Sequence, residues 1–326
     1  MPHKPYGVLL LSCIRHQRDY APYIATHPRM KIVAVADEPN LPDWMRKANV
    51  DMAAKYGVPY IEDVDAALAR SEVDMVSVCT EPTRHAKLAT IAALAGKHVL
   101  VDKPMATTLE DADKLIAAVN QTGVKCTYIH RLFASATQLT RQTILAGKLG
   151  LPWALHIDFL SGGGLGSGAV EDFQLVVDRK LSGGGEMMNF LVYPVGYLRF
   201  ITGLEIVSAY AAAGAHFFEP HKQWGVEDLA SVAFTLERNV MATVTVGRVP
   251  SVVASVGEFT IRVHGSHGMM FVDEFRPRVE LFGGYNQHVR GFPVNDPSAE
   301  RTTRILDDFI AAIEENRAPL VGPHDG

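Results

Sequence analysis

The stretch that decides the fold runs from Val76 to Ala106. It reads Val76-Ser77-Val78-Cys79-Thr80-Glu81-Pro82-Thr83-Arg84-His85-Ala86 and then, after an alanine-rich helical pattern, Ala92-Ala93-Leu94-Ala95-Gly96-Lys97-His98-Val99-Leu100-Val101-Asp102-Lys103-Pro104-Met105-Ala106. Residues 73–78 read as a short buried strand, 84–95 as a helix stopped by Gly96 where a left-handed C-cap is wanted, and 99–101 as the next strand. Strand, helix, strand with continuous apolar strands is the pattern of a parallel sheet covered on both faces. Ligands of such a doubly wound sheet bind outside the carboxyl ends of its strands. Thr80, Asp102 and Lys103 follow two of those strands and are expected at the crevice, and Pro104 biases the Lys103 backbone to extended geometry.

Outward from this segment, apolar runs at residues 8–11, 32–36, 73–78, 99–101 and 124–128 read as buried parallel strands. The clearest helix lies at 109–120, where Ala112, Leu115, Ile116 and Val119 share a face and Thr107 with Glu110 makes a capping box. After residue 150 the rhythm changes to alternating segments at 153–159, 229–237 and 240–246, the last two joined by an Arg238-Asn239 turn, which read as antiparallel strands. A helix near 185–202 interrupts them, and another at 301–316 closes the chain with Ile305, Phe309, Ile310 and Ile313 on one face. The expected architecture is an α/β fold: an N-terminal Rossmann-type doubly wound parallel sheet at 1–128, then a C-terminal α+β domain at 129–326 with a large open, mainly antiparallel sheet.

The turn after the first strand of such a sheet faces phosphate with backbone amides and a helix N-terminus. Here it reads Ser12-Cys13-Ile14-Arg15-His16-Gln17, with Ser12, Ile14 and Gln17 where glycines are wanted for the tight turn, the approach to pyrophosphate and close helix packing. Arg15 and Arg18 either neutralise phosphate, with Ser12 donating a hydrogen bond to it, or are solvated loop residues. Asp37 follows the second strand and either accepts both ribose hydroxyls, which favours NAD over NADP, or serves only as a turn former. A glycine-rich stretch at 162–168 lacks a flanking parallel strand and helix and reads as a mobile loop near the pocket.

Composition narrows the partners. A length of 326 residues favours two domains over one. No run of ~20 apolar residues suggests a membrane span, and the N-terminus lacks the order of a signal peptide, so a cytoplasmic location is expected. The net charge of −5, from 31 basic and 36 acidic residues without a long block of either sign, argues against nucleic acid and for a small-molecule partner. Cys13, Cys79 and Cys126 form no CxxC pair, so neither a metal site nor a disulfide is expected.

Several motifs resemble those of the Gfo/Idh/MocA family of oxidoreductases. The family's Glu-Lys-Pro stands here as Asp102-Lys103-Pro104 and its histidine after the preceding strand as His85; the resemblance continues through His130-Arg131-Leu132-Phe133 and Gly147-Lys148-Leu149-Gly150. A further motif is Gly183-Gly184-Gly185-Glu186-Met187-Met188-Asn189-Phe190-Leu191-Val192-Tyr193, where many relatives carry Asp, Gly and His at the positions of Asn189, Leu191 and Tyr193. The resemblance implies a Rossmann domain with a second domain whose open sheet forms a homo-oligomer interface. It implies a cofactor, NAD before NADP, held by Ser12, Ile14, Arg15, His16, Asp37, Thr80, His85, Asp102 and Lys103. It further implies that Lys103 bonds a substrate hydroxyl and that Tyr193 acts as acid or base, as in the glucose-fructose oxidoreductase branch.

Asn189 and Tyr193 are i and i+4, so both can lie on one helical face; Asn189 can orient a hydroxyl but cannot take a proton. Lys103, Arg131, Asn189 and Tyr193 are the expected substrate contacts, joined by His156 and Asp158, which alternate on one strand and either form a sugar-binding wall or face away. The leading expectation is an NAD(P)-dependent dehydrogenase or reductase acting on a sugar, polyol or related hydroxy compound, with Lys103, Tyr193 and Asn189 in the catalytic roles. The alternatives are a non-catalytic ligand sensor on the same fold and a redox-neutral enzyme with tightly held NAD.

Overall fold

Leu9, Leu10 and Leu11 are each fully buried, which a strand achieves only when covered on both faces. They belong to β1 (Tyr6–Leu11), from which the chain continues through α1 (Gln17–Thr26), β2 (Met30–Ala36), α2 (Asp43–Tyr56), β3 (Tyr60–Ile61), α3 (Val64–Leu68), β4 (Met75–Val78), α4 (Pro82–Leu94), β5 (His98–Val101), α5 (Leu109–Thr122) and β6 (Cys126–Tyr128). The six strands are all parallel, in the order β3-β2-β1-β4-β5-β6, the doubly wound dinucleotide-binding arrangement. The five expected strands are present; β3, only two residues long, carries too little pattern to be read from sequence. Gly96 takes φ +75° behind α4, as its position required. The cap of α5 sits one residue later than expected: Thr108, not Thr107, accepts from the Asp111 amide at 3.2 Å.

The structure, a computed structural model, describes residues 4–162, 165, 172–250, 257–283, 286–291 and 297–326, so the glycine-rich stretch at 162–168 lies largely outside the described residues. The chain divides into two compact units, Met1–Ile129 with Thr302–Gly326, and His130–Arg301.

In the second unit α6 (Ser135–Leu145) precedes β7 (Pro152–Ser161), α7 (Gln174–Val177), α8 (Arg179–Ser182), α9 (Glu186–Phe190) and α10 (Val192–Thr202). Next come β8 (Ile206–Gly214), α11 (Glu219–Trp224), β9 (Leu229–Leu236), β10 (Met241–Arg248), β11 (Glu258–Gly265), β12 (Gly268–Asp273), β13 (Arg278–Gly283), β14 (Asn286–Gly291) and α12 (Pro297–Glu314). The sheet order is β14-β13-β12-β11-β7-β10-β9-β8. All neighbours are antiparallel except β7 and β10, which run parallel where antiparallel pairing was expected. Arg238 and Asn239 both adopt positive φ, the backbone a tight hairpin demands.

The single helix expected near 185–202 is two, α9 and α10, because Pro194 has no N–H to offer the Phe190 carbonyl one turn back. Ring contacts of Phe159 with Phe190 and Tyr193, and of Phe259 with Tyr197, pack both helices on one face of the sheet. The closing segment corrects the expected boundary, since everything from Thr302 onward groups with the first unit rather than with residues 129–301. Within that unit the Asp307 carboxylate lies 3.1 Å from His27 Nε2, Thr127 donates to the Val321 carbonyl at 2.8 Å, and Ile305, Phe309 and Ile310 are buried.

Candidate active site

The turn at the carboxyl end of β1 keeps its shape without glycine. Ser12 itself adopts φ +68°, the left-handed conformation the first glycine would supply, and donates its amide to the Ala36 carbonyl at 2.8 Å. The Cys13 amide donates to Asn49 Oδ1 at 2.7 Å, and those of Ile14 and Arg15 to the Cys79 carbonyl at 3.1 and 3.0 Å. Ile14, at the second glycine position, has its side chain wholly inside the protein. Gln17, at the third, is also fully buried and accepts from the Ser77 hydroxyl at 2.9 Å, so a hydrogen bond fills the place where helix and strand would otherwise close up. Ser12 Oγ is buried and has no hydrogen-bond partner among the described residues. Together with the N–H groups that every helix leaves open in its first turn, here that of α1, it fits an anionic group at this corner.

Asp37 follows β2 as expected, but its carboxylate is already engaged. Oδ1 accepts from the Glu38 amide at 2.8 Å and from Arg84 at 2.9 Å, and Oδ2 accepts from Asn49 at 3.0 Å. Arg84, which the sequence reading passed over, also bonds Glu38 and Glu81, both at 2.9 Å. Asp37 has no exposed surface, so a ribose reaches it only if Arg84 gives up its bond.

Around the Asp-Lys-Pro segment several of the expected cofactor contacts are also bonded to neighbouring protein groups. Asp102 is wholly buried and accepts from His16 Nδ1 at 2.7 Å, the Tyr20 hydroxyl at 3.1 Å and the Lys103 amide at 2.8 Å. Burial alone would raise its pKa, but His16, His85 and Lys103 hold it well below the usual carboxylate range. One ionised carboxylate thus ties the start of α1 to the end of β5. His85 is equally buried, its Nδ1 2.8 Å from the Pro104 carbonyl and its Nε2 2.9 Å from that of Thr80. Burial lowers its pKa against the opposing pull of Asp102 and the two carbonyls, and the ring lies between the two strand ends. The Thr80 hydroxyl is likewise turned to Glu81. Lys103 is almost fully buried beside the cis Lys103–Pro104 peptide.

The second unit holds its own set. Asn189 donates to Glu186 Oε2 at 2.8 Å, and Glu186, with no exposed surface, receives Arg248 Nε at 2.5 Å and has His221 Nε2 at 3.4 Å. This network was missed because Glu186 and Arg248 lie 62 residues apart, with His221 far from both along the chain; the glutamate after three glycines was the available signal. Tyr193 stacks on Phe159 with ring centres 5.1 Å apart, and the Arg131 guanidinium lies 5.0 Å above its ring. His156 and Asp158 alternate with Phe159 on β7 and therefore face the opposite side of the sheet, where His156 lies 2.6 Å from the Thr243 hydroxyl. Their reading as a wall beside Tyr193 is corrected by that alternation.

A parallel sheet in dinucleotide-binding order, followed by a unit in which helices pack on one face of a large sheet, is the architecture of a nucleotide-binding α/β protein with a second, sheet-rich part. Residues 12–130 match the profile of the oxidoreductase family with NAD-binding Rossmann fold, and residues 137–271 match the GFO/IDH/MocA C-terminal domain. The chain belongs to the Gfo/Idh/MocA family of oxidoreductases. It is 25% identical over 326 aligned residues to inositol 2-dehydrogenase of Rhizobium meliloti, an alignment covering 97% of this chain and 91% of that protein. Among solved structures, aldose-aldose oxidoreductase from Caulobacter crescentus superposes with a TM-score of 0.80 at 24% identity, over 99% of this chain and 93% of that one. The WlbA dehydrogenase from Bordetella pertussis, solved with NADH and UDP-GlcNAcA, gives 0.80 at 19% identity over 99% and 92%. At these identities the two structures share the fold.

Proposed function

We propose that the protein transfers a hydride between a nicotinamide dinucleotide and the carbinol carbon of a sugar, polyol or related hydroxy compound. The observation that carries this reading is the Asp102-Lys103-Pro104 segment, which follows β5 at the carboxyl end of the sheet in a chain matched by an NAD-binding family profile. The dinucleotide, when bound, supplies the hydride acceptor or donor. Ser12 and the first turn of α1 would hold its pyrophosphate, and Asp37 its ribose.

The roles assigned to this chain's residues are those the family resemblance implies, and their chemistry is compatible with them. Lys103 donates a hydrogen bond to the substrate hydroxyl, Tyr193 takes or returns the hydroxyl proton, and Asn189, held by Glu186, orients the hydroxyl. NAD is favoured over NADP because Asp37, Glu38 and Glu81 surround Arg84 and oppose a further phosphate on the ribose. The protein is read as a homo-oligomer through its sheet, where β8 leaves Val207 and Tyr210 at 67% and 75% exposure. A cytoplasmic location agrees with three buried thiols that form no disulfide, Cys13, Cys79 and Cys126. Among the described residues no helix is long and apolar enough to cross a membrane, and no cluster of His, Cys, Asp or Glu is suited to a metal ion.

The test is calorimetric titration with NAD and NADP, followed by substrate-dependent NADH formation over a panel of polyols and aldoses. NAD binding the tighter and a loss of about a hundredfold in turnover for Lys103→Ala are expected. Failure of both dinucleotides to bind would sink the reading.

A further inference from the structure

Arg131 differs from Arg84 and Arg248 in what its guanidinium meets. Arg84 ends on Asp37, Glu38 and Glu81, and Arg248 on Glu186. Arg131 ends on aromatic faces: its guanidinium carbon lies 5.0 Å from the ring centre of Tyr193, 5.2 Å from that of Phe275 and 5.7 Å from that of Phe159. Nε is buried with no hydrogen-bond acceptor, and among the described residues Arg131 makes no ion pair. The nearby acid, Glu274, forms no ion pair with it among the described residues: its carboxyl, raised by burial against the opposing pull of Thr137, Tyr197 and the Arg131 charge, accepts from Thr137 and Tyr197.

A guanidinium is always charged, carries five N–H donors in one plane and stacks through its faces. Rings that occupy the faces fix the plane and leave the in-plane fork for a planar or tetrahedral oxyanion. A buried donor without an acceptor is costly, and a ligand acceptor removes that cost. The same ring that Arg131 covers belongs to Tyr193, the residue given the proton-transfer role above.

We propose that Arg131 is a substrate-binding residue for an oxyanion, and that the substrate is a sugar or polyol bearing a carboxylate or phosphate. The inference rests on the proposed function for its placement at a substrate, but binding alone can test it. With the full-length protein loaded with NAD, calorimetric titrations would compare glucuronate and gluconate, glucose 6-phosphate, and the neutral glucose and sorbitol. The anionic ligands of one kind, carboxylate or phosphate, should bind about tenfold or more tightly than the neutral ones. That preference should vanish in Arg131→Met, return in part in Arg131→Lys, and leave NAD affinity unchanged. Which anionic arm wins identifies the oxyanion.

No preference for either anion in the wild type, including no binding at all, overturns the proposal, as does a preference that survives in Arg131→Met. A loss of NAD affinity in that variant also overturns it, because the anion would then be the cofactor's own. Hydride transfer to neutral polyols without an anion preference would defeat this inference and leave the oxidoreductase reading standing. Anion binding through Arg131 with no hydride transfer to any ligand would do the reverse.

Discussion

Two buried carboxylates, one in each unit, support the residues assigned to chemistry, and they are held in opposite ways. Asp102 accepts from an imidazole, a phenol and a backbone amide, with the charge of Lys103 also lowering its pKa, and among the described residues no guanidinium bonds it. Glu186 is bound to a full guanidinium, that of Arg248, and passes its second oxygen to Asn189. The first arrangement spreads one charge over three donors and links α1 to β5. The second concentrates support in one ion pair, and removing either partner strands a charge in a dry place.

The largest effect is therefore expected in the second unit. Arg248→Met should lower the stability of the protein by about 3–5 kcal/mol, read from urea unfolding, because Glu186 is left buried and unpaired. A loss below about 1 kcal/mol would mean that the two networks do not differ as described. Acid titration sharpens the same point. Burial alone would raise the Glu186 carboxyl, yet Arg248, His221 and Asn189 hold it at about 2 against an ordinary 4.5. A depressed folded value means that its contribution is complete above about pH 4.5 and is lost as the pH falls through about 2. The amount is on the order of 3 kcal/mol. Unfolding measured at successively lower pH should show that loss in the wild type and a shallower one in Arg248→Met; parallel curves would place the acid sensitivity elsewhere.

The smallest effect is expected for Asp102→Asn. Asparagine keeps one acceptor oxygen, and His16 can change tautomer to accept from the new amide, so the cost should be about 1–2 kcal/mol. Its more telling readout is NAD affinity by calorimetry, which should fall several-fold as the start of α1 loses its tie to the Lys103 segment. Unchanged affinity would show that Asp102 supports the fold alone.

Much of this was written in the sequence, and the rest had identifiable reasons for staying hidden. The strand–helix alternation around residues 76–106 settled the first sheet because each strand there is mostly apolar and each helix ends at a glycine or a cap. The Asp-Lys-Pro segment was legible for the same reason, since its position follows from the strand before it. The Ser12 turn was misjudged in part, because composition reports the glycine that is absent and not the φ of +68° that serine accepts in its place.

Sequence alone determined the local periodicities, hence the class of fold, the order of elements and the neighbourhood of Lys103. Only the tertiary structure decided that Arg84 already holds Asp37, that Glu186 and Arg248 stand behind Asn189, that His156 and Asp158 face away from Tyr193, and that Arg131 rests on three rings. These are pairings between residues distant along the chain. Their partners are chosen by packing and by the need to satisfy buried charge, and no periodicity records that choice.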